Sequence, residues 1–487
     1  MSRFNTVTAP TKTVNLAGGQ SYSQTPELEL VSILLTSFAQ DQFYRKATDT
    51  FDRLKELIGK CDKKFVAQAA IYARTKYGMR SITHVVASEL AKHIGGLDWS
   101  KKFYEAIIYR PDDMMEILSY HKSTNGKVPN SIKKGFAKAF DKFNKYQLAK
   151  YRGEGKGFKL VDVVNLVHPI PVEGNKEAID ELIKGELKSF DTWESQLSNA
   201  GQTATNDEQK AEFKKEVWVN LIRDKKIGYL ALLRNLRNIM EQAPEVLTEA
   251  LASLTNPEFI KKSLIFPFQY LVAYKQFLSQ NTKEARQIAD ALSDAVDISC
   301  ENVKSFNFEG ETLVVVDNSG SMGSPVAKSE HMQMSELGGL FGIVLAKAIN
   351  ADIMEFGDYA RYIPYNLKEH SMNFAASFSG QNKVGHGTNF HAIFQTANKK
   401  YNRILIFSDM QGWIGYNTPA KTFNEYKKKY GATPFIYSFD LAGHGTMQLP
   451  ENNVFCMAGF SDKIFTTMSM LETDKKALIN EIKKVEL

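Results

Sequence analysis

Between Thr25 and Ser299 apolar residues recur at helical spacing almost throughout, and few runs read as strands. Thr25-Pro26-Glu27 joins a capping hydroxyl to a proline at the first turn, which marks a helix start, and Leu28, Val31, Leu34 and Leu35 supply the apolar face behind it. Further helices are predicted around Phe51, Leu54, Leu57 and Ile58, around Phe65, Ala69, Tyr72 and Ala73, from Val85 to Leu90, from Phe103 to Ile107, and around Met114, Ile117 and Leu118. Each closes near glycine, proline or a charged turn. Short stacked helices of this kind read as an α-solenoid, although no fixed-period repeat can be counted.

After Phe306-Asn307-Phe308-Glu309-Gly310 the period changes. Strand-like runs from Thr312 to Asp317, Ala351 to Phe356, Arg403 to Ser408, Pro434 to Phe439 and Asn453 to Ala458 alternate with helical patterns from Ser335 to Ile349, Asn389 to Asn398 and Thr422 to Tyr430. That alternation predicts an α/β doubly wound parallel sheet. The run at Thr312 is unbroken rather than alternating, as a strand covered on both faces requires. Leu478, Ile479 and Ile482 predict a terminal helix that packs back on a neighbour. The expected organisation is a flexible segment over 1–24, an all-α module over 25–300, an α/β domain over 306–470 and the packing helix over 471–487.

The Thr312 strand runs straight into Asp317-Asn318-Ser319-Gly320-Ser321. One carboxylate and two hydroxyls on alternate positions of a tight loop suit a hard cation, and magnesium is the natural choice. The loop stands at a strand's carboxyl end, where open α/β sheets bind ligands. Gly387-Thr388-Asn389 opens a helical pattern carrying Phe390, Ile393, Phe394 and Ala397, and the Arg403 strand leads into Asp409. Three separated segments thus offer oxygen ligands at equivalent places.

A chain of 487 residues holds two or more domains, and 43% hydrophobic with 24% charged residues describes a globular protein rather than a disordered one. The first residues contain no apolar signal region, and the longest apolar stretch, Leu337 to Ile349, is interrupted by Lys347 and too short to span a bilayer. A cytoplasmic protein with no membrane partner is expected. Cys61, Cys300 and Cys456 are isolated, without metal-ligand spacing, and read as buried free thiols.

The net charge of +6 predicts no partner, but its distribution does. From Ser131 to Leu160 stand Lys133, Lys134, Lys138, Lys142, Lys145, Lys150, Arg152, Lys156 and Lys159 against Asp141 and Glu154, a local balance of +7. On a helical wheel Ile132, Phe136, Ala139 and Phe143 share one side, and Lys134, Lys138, Lys142 and Lys145 form a stripe on the other. A polyanion is the partner such a stripe suits, with strong salt dependence; a solvated helix face and a membrane-surface helix are the alternatives. A glycine-rich turn follows, then an apolar run ending in His168-Pro169, where the histidine either contacts a phosphate or base or makes a local structural hydrogen bond.

The three oxygen-bearing segments resemble the von Willebrand factor A domain with its metal-ion-dependent adhesion site. That resemblance implies that Asp317, Ser319 and Ser321, then Thr388, then Asp409 hold Mg²⁺ or another divalent cation and leave a position for an acidic protein ligand. Upstream, Asp41-Gln42-Phe43-Tyr44, Tyr146-Gln147-Leu148-Ala149-Lys150-Tyr151, Leu166-Val167-His168-Pro169, Leu230-Ala231-Leu232-Leu233-Arg234-Asn235-Leu236 and Phe266-Pro267-Phe268 together resemble the TROVE module of the Ro autoantigen family, bacterial and phage-type forms included. This second resemblance implies a ring of HEAT-like helical repeats closed by the A domain. It also implies a basic outer surface for small noncoding Y or Y-like RNA, and a central hole for misfolded or single-stranded RNA ends. A monomer, working with an exoribonuclease such as polynucleotide phosphorylase, goes with the same picture. Lys150 matches the basic position of the family's Lys-Tyr motif and His168 its histidine before proline, while Arg152 and Lys156 are both candidates for the next basic position. With Lys134, Lys138, Lys142 and Lys145 they make up the expected RNA-binding set. Arg234 reads as structural, pairing with a carboxylate between helices.

The function expected is RNA binding without catalysis, in RNA quality control or as a scaffold bringing RNA to a nuclease. A metal-dependent adhesion or assembly protein is the alternative. An enzyme using the metal as a Lewis acid is disfavoured, because no Walker loop, paired general acid and base, or nucleophile-base constellation is present. His386 and His391, which flank Thr388, and Asp440 and His444 beyond them read as supporting or surface residues.

Overall fold

A computed structural model describes residues 12–23, 25–36, 47–153, 157–188, 192–263, 265, 267–300, 308–325, 332–366, 368–378, 383–415, 419–444, 446–449, 453–457, 468, 472 and 477–487. Lys156, Asp41 to Tyr44 and Phe266 lie outside them. The chain divides into two compact units, one of residues 58–250 with 481–487, the other of 1–57 with 251–480. Among the described residues no helix is long and apolar enough to cross a membrane.

The first unit is helical. Its helices start on short polar caps: Asp62 accepts from the Phe65 N–H at 2.8 Å, Asn144 from Gln147 at 3.0 Å and Asn206 from Gln209 at 2.8 Å. Apolar faces then meet inside, where Tyr104 packs edge-on against Phe103 and Phe136 with ring centroids 5.0 and 6.2 Å apart. The helices Ser100–Ala106 and Asn130–Ala139 touch backbone to backbone, because a Cβ on Gly135 would stand 2.4 Å from the Tyr104 Cβ and 2.7 Å from the Lys101 carbonyl. The terminal helix Ala477–Lys483 buries Ile482, and the Gln68 amide donates to the carbonyls of Lys483 and Val485, both at 2.8 Å.

The stripe expected along a continuous helix through Lys145 is corrected here. The helix ends at Ala139, a 3-10 turn covers Phe140–Lys142, Phe143 is extended, and Asn144 caps a new helix, Lys145–Lys150. Phe143 is buried as the wheel requires, yet the break turns the lysines beyond it in other directions.

In the second unit strands β3 (Thr312–Asp317), β4 (Asp352–Phe356), β5 (Ala360–Ile363), β6 (Arg403–Ser408), β7 (Phe435–Asp440) and β9 (Val454–Met457) form one sheet in the order β5-β4-β3-β6-β7-β9. All neighbours are parallel except the edge pair β4-β5. Leu313 and Val315 point into a core with Phe390, Ile393, Phe394 and Phe423. Val314 and Val316 face the helix Met334–Ile349, which approaches closely through Gly342, where a Cβ would lie 3.0 Å from Val316 and 3.3 Å from Val314. Both faces of β3 are therefore covered, which explains its unbroken apolar sequence. Strand order reverses at β3-β6, so the carboxyl ends of these two neighbours flank the crevice of a topological switch point.

Helices Pro267–Leu278 and Lys283–Cys300 belong to this sheet-containing unit, where the Lys275 ammonium meets the buried Glu336 carboxylate at 2.7 Å. The flexible segment expected over 1–24 is corrected for residues 12–23: β1 (Lys12–Val14) and β2 (Gln20–Ser23) form a hairpin, and β2 pairs with β8 (Thr446–Met447). Partners more than four hundred residues away hold a stretch whose own sequence has almost no apolar face. Of the cysteines, Cys61 is buried and lies outside any disulfide.

Candidate functional site

Three loops meet at the switch point. From the end of β3, Asp317 accepts the Ser319 N–H at 2.9 Å on one carboxylate oxygen and the Ser408 hydroxyl at 2.5 Å on the other. The Ser319 and Ser321 hydroxyls lie 3.5 Å apart, and Ser321 hydrogen-bonds Asp409. The Gly320 N–H donates to the His386 carbonyl at 2.9 Å, tying the first loop to the second, and the Trp413 N–H donates to the Thr388 carbonyl at 3.2 Å, tying the second to the third. Asp317, Ser319, Ser321, Thr388 and Asp409 are all buried, and this stitching brings their three segments together.

Burial pushes the carboxyls of Asp317 and Asp409 well above the usual carboxylate range, and the charge of Asp317 raises Asp409 further. Two buried acids side by side, ringed by hydroxyls, form an all-oxygen donor set that suits a hard divalent cation, whose charge would offset both penalties. Among the described residues no group of three or more His, Cys, Asp or Glu that could hold a metal ion occurs, here included, so the donor set rests on two acids and their neighbouring hydroxyls.

Several supporting residues escape sequence reasoning. Met410 holds φ at +58°, unfavourable for a side chain of its size, and Gln448 donates to its carbonyl at 2.8 Å. The hairpin reaches the same loop: Asn15 donates to the Gly412 carbonyl at 2.6 Å, and the Leu16 N–H to the Gln411 side chain at 2.7 Å. Only Ser408, adjacent to Asp409, was open to sequence inspection. His386 is exposed and contributes its carbonyl to Gly320, His391 lies 3.2 Å from the Thr422 hydroxyl, Asp440 caps the N–H groups of Ala442 and Gly443, and His444 is buried.

The basic residues of the helical unit separate into two groups. Lys134, Lys150 and His168 are exposed, and Lys138 is exposed beside Asp141 at 2.6 Å. Lys142, by contrast, donates to the carbonyls of Glu105 and Ile108, Lys145 pairs with Glu181 at 2.7 Å and Glu177 at 3.2 Å, and Arg152 donates to the Leu187 carbonyl. All three ammonium or guanidinium groups are held by the fold, Lys142 while still exposed and Lys145 and Arg152 half-buried, so only the last two leave the solvent-facing set. Arg234 is exposed and forms no ion pair among the described residues, which corrects its expected pairing with a carboxylate. His168 closes the helix Leu160–Val167 in the left-handed conformation, φ +50°, leaving its ring outward ahead of Pro169.

Around Lys150 the structure adds aromatic rings. Its ammonium lies 5.8 and 6.0 Å from the ring centres of Tyr146 and Tyr151, and the Arg110 guanidinium lies over the Tyr151 ring at 4.4 Å. Arg110 is in turn fixed by two hydrogen bonds to Asp112, 2.9 and 2.7 Å. Asp112 also receives Arg80, which bridges to Asp113 at 2.9 Å. Fully buried Asp113 accepts further bonds from Arg74 at 3.0 Å, His84 at 3.1 Å and the N–H groups of Tyr109 and Arg110. A buried ionic network thus sets the angle at which Arg110 and the Lys150 patch face solvent.

Comparison with known proteins bears on both halves. The TROVE domain model matches residues 30–199 and 184–307, more than half of the chain. Among curated relatives, Telomerase protein component 1 of Rattus norvegicus is 22% identical over 139 residues, 26% of this chain and 5% of that protein. The Mus musculus protein of the same name is 20% identical over 342 residues, 52% of this chain and 13% of that protein. The chain thus spans only a small part of the length of these relatives. The crystal structure of the Deinococcus radiodurans Ro (RSR) protein is similar with a TM-score of 0.61 at 17% identity, covering 91% of this chain and 99% of that one. Proteins of the Ro/TROVE family are RNA-binding proteins rather than enzymes. The chain belongs to the TROVE domain family.

Proposed function

We propose that this protein binds structured noncoding RNA of the Y or Y-like kind through the exposed surface around Lys150, without catalysing a reaction. The observation that carries the reading is the cluster of Lys150, Tyr146, Tyr151 and Arg110, a cation set among rings and oriented by a buried ionic network. Ammonium and guanidinium groups serve phosphates, while tyrosine and arginine planes serve unstacked bases, the combination by which RNA is recognised through shape and single-stranded elements. Lys134 and His168 extend the exposed set, Lys138 joins it in exchange for Asp141, and Lys156 belongs to the same segment. Single-stranded or misfolded RNA ends in a central hole, RNA quality control and the scaffolding of an exoribonuclease complete the reading on family grounds, as do a monomeric state and a cytoplasmic location.

For the second unit the reading is a von Willebrand factor A-type domain in which Asp317, Ser319, Ser321, Thr388 and Asp409 hold Mg²⁺. The ion would neutralise the two buried carboxylates and give an acidic protein group a coordination position. Two buried, mutually repelling acids also support the alternative of a metal-dependent assembly protein. Anisotropy titration of a labelled stem-loop RNA with single-stranded ends tests the first reading. Lys134→Glu with Lys150→Glu should weaken binding at least tenfold and flatten its salt dependence. Unchanged affinity and salt slope, with the fold intact, would refute RNA binding at this surface. If Asp317→Ala abolishes binding of a protein partner while RNA binding survives, the assembly reading is favoured.

A further inference from the structure

A second cationic feature lies in the helical unit and includes neither Lys150 nor His168. A cavity of about 730 Å³ is lined by Lys64 and Gln68 of the helix Lys63–Lys76, by Lys102, Glu105 and Ala106, by Lys142, and by the closing segment Lys483 to Leu487. Five of its lining residues are lysines and two are glutamates, a side-chain balance of +3 around one opening. Glu481, paired with Lys484 outside the lining, offsets one of these charges, and two side chains pin the walls. Gln68 grips the closing segment through the carbonyls of Lys483 and Val485, and the neighbouring Lys63 spends its ammonium on the carbonyls of Ile58, Gly59 and Cys61 at 2.7, 2.6 and 2.9 Å.

Among the lining lysines, Lys142 is held by the carbonyls of Glu105 and Ile108, and Lys484 by Glu481. Lys64, Lys102 and Lys483 are exposed and form no ion pair among the described residues. Concentrated like charge in a concave surface raises the local potential and attracts a multivalent anion. The volume is that of a site for a ligand of nucleotide size or larger. Lysines act as point charges, without the planar fork that reads a base or grips one carboxylate, so the matching ligand carries several phosphates along its length.

We propose that this cavity is a distinct polyphosphate-binding site, with Lys64, Lys102 and Lys483 as its phosphate ligands. Its ligand is a run of phosphates, supplied either by the backbone of a nucleic-acid strand or by a free polyphosphate. The proposal does not depend on RNA binding at Lys150.

The test uses the full chain and two probes, a fluorescein-labelled decauridylate read by anisotropy and inorganic triphosphate read by calorimetry. The variants are Lys64→Glu with Lys102→Glu, and the charge-preserving Lys64→Arg with Lys102→Arg, with Lys150→Glu as the comparison. The glutamate pair should weaken at least one probe tenfold or more, and the arginine pair should retain binding within about threefold. Loss for the oligonucleotide alone assigns the site to a strand, loss for triphosphate alone to a free polyphosphate, and loss for both to phosphates from either source. If the glutamate pair binds both probes as the parent does while circular dichroism shows an unchanged fold, or if neither probe binds the parent, the proposal is overturned. Weakening confined to Lys150→Glu would overturn it too and leave the surface reading intact.

Discussion

Asp113→Asn tests how the helical unit is held together. The side chain keeps its volume and loses its charge in a place of zero exposure, where its two oxygens serve Arg74, Arg80, His84 and two backbone N–H groups. The amide that replaces one oxygen would point donors at donors, and Arg74, itself buried, would be left without its counter-charge. Removing one partner of a buried pair costs about 3–5 kcal/mol, a large part of the ~5–15 kcal/mol that holds a typical domain. Urea unfolding read by tryptophan fluorescence is the assay, since Trp99, Trp193 and Trp218 lie in residues 58–250 and only Trp413 lies outside. The midpoint should fall by about 1–2 M at ordinary m-values.

The pH dependence adds a sign. Burial works against the Asp113 charge, but hydrogen bonds and charges from His84, Arg74 and Arg80 outweigh it and hold the carboxyl far below the usual range. Its contribution is therefore complete above the unfolded value and is lost only as pH falls through the depressed folded value, in strong acid. Burial likewise opposes the charge on His84, yet Asp113 and Glu116 raise it. That contribution is complete below the unfolded value of about 6.5 and fades as pH rises through the raised folded value. The parent should lose stability on the alkaline side, and Asp113→Asn should show little of that loss. A midpoint change worth less than about 1 kcal/mol, or an alkaline decline of equal size in both proteins, would refute the assignment of the network as the tie between these helices.

Gly135→Ala should destabilise the same unit by about 1–3 kcal/mol through overpacking against Tyr104, seen as a lower urea midpoint. Lys150→Ala should leave stability unchanged, weaken RNA binding several-fold and lower the salt slope by about 0.7–0.9, the share of one phosphate contact, in a titration repeated at several salt concentrations. Asp317→Asn removes one of two repelling buried acids, so its melting temperature in EDTA should equal or exceed the parent's, while the Mg²⁺-induced rise expected of the parent should vanish. Asn15→Ala should loosen the loop after Asp409 and speed its amide hydrogen exchange, because the side-chain bond to Gly412 is removed.

Strands β3 and β6 were legible residue for residue, because burial on both faces writes a continuous apolar run, and a run of this short length bounded by polar loops reads as a strand rather than a helix. Strand β5 was not, since at an edge it is half exposed and its four residues, Ala360–Ile363, carry no distinctive pattern. The helices of the amino-terminal half followed their periodicity, but the wheel through Lys145 assumed a continuity that Phe143 and Asn144 break. Position on a wheel depends on every residue before it, so one break is enough to redirect Lys145.

The sequence alone determined the change of period near residue 306, the five parallel strands of the central sheet, the oxygen-bearing loops and the Lys-Tyr and His-Pro segments, all of which are local patterns along the chain. Tertiary structure decided what each charge was for. Whether a lysine faces solvent, closes a helix end or answers a glutamate depends on groups far along the chain, as Lys142 with Glu105 and Lys145 with Glu181 demonstrate. It also decided that residues 12–23 are a hairpin, that Arg110 stands over Tyr151, and that five lysines from four segments line one cavity. Side-chain periodicity is short-range and can be read along one strand or helix, whereas electrostatic partnership is a matter of distance in space, which only the folded chain supplies.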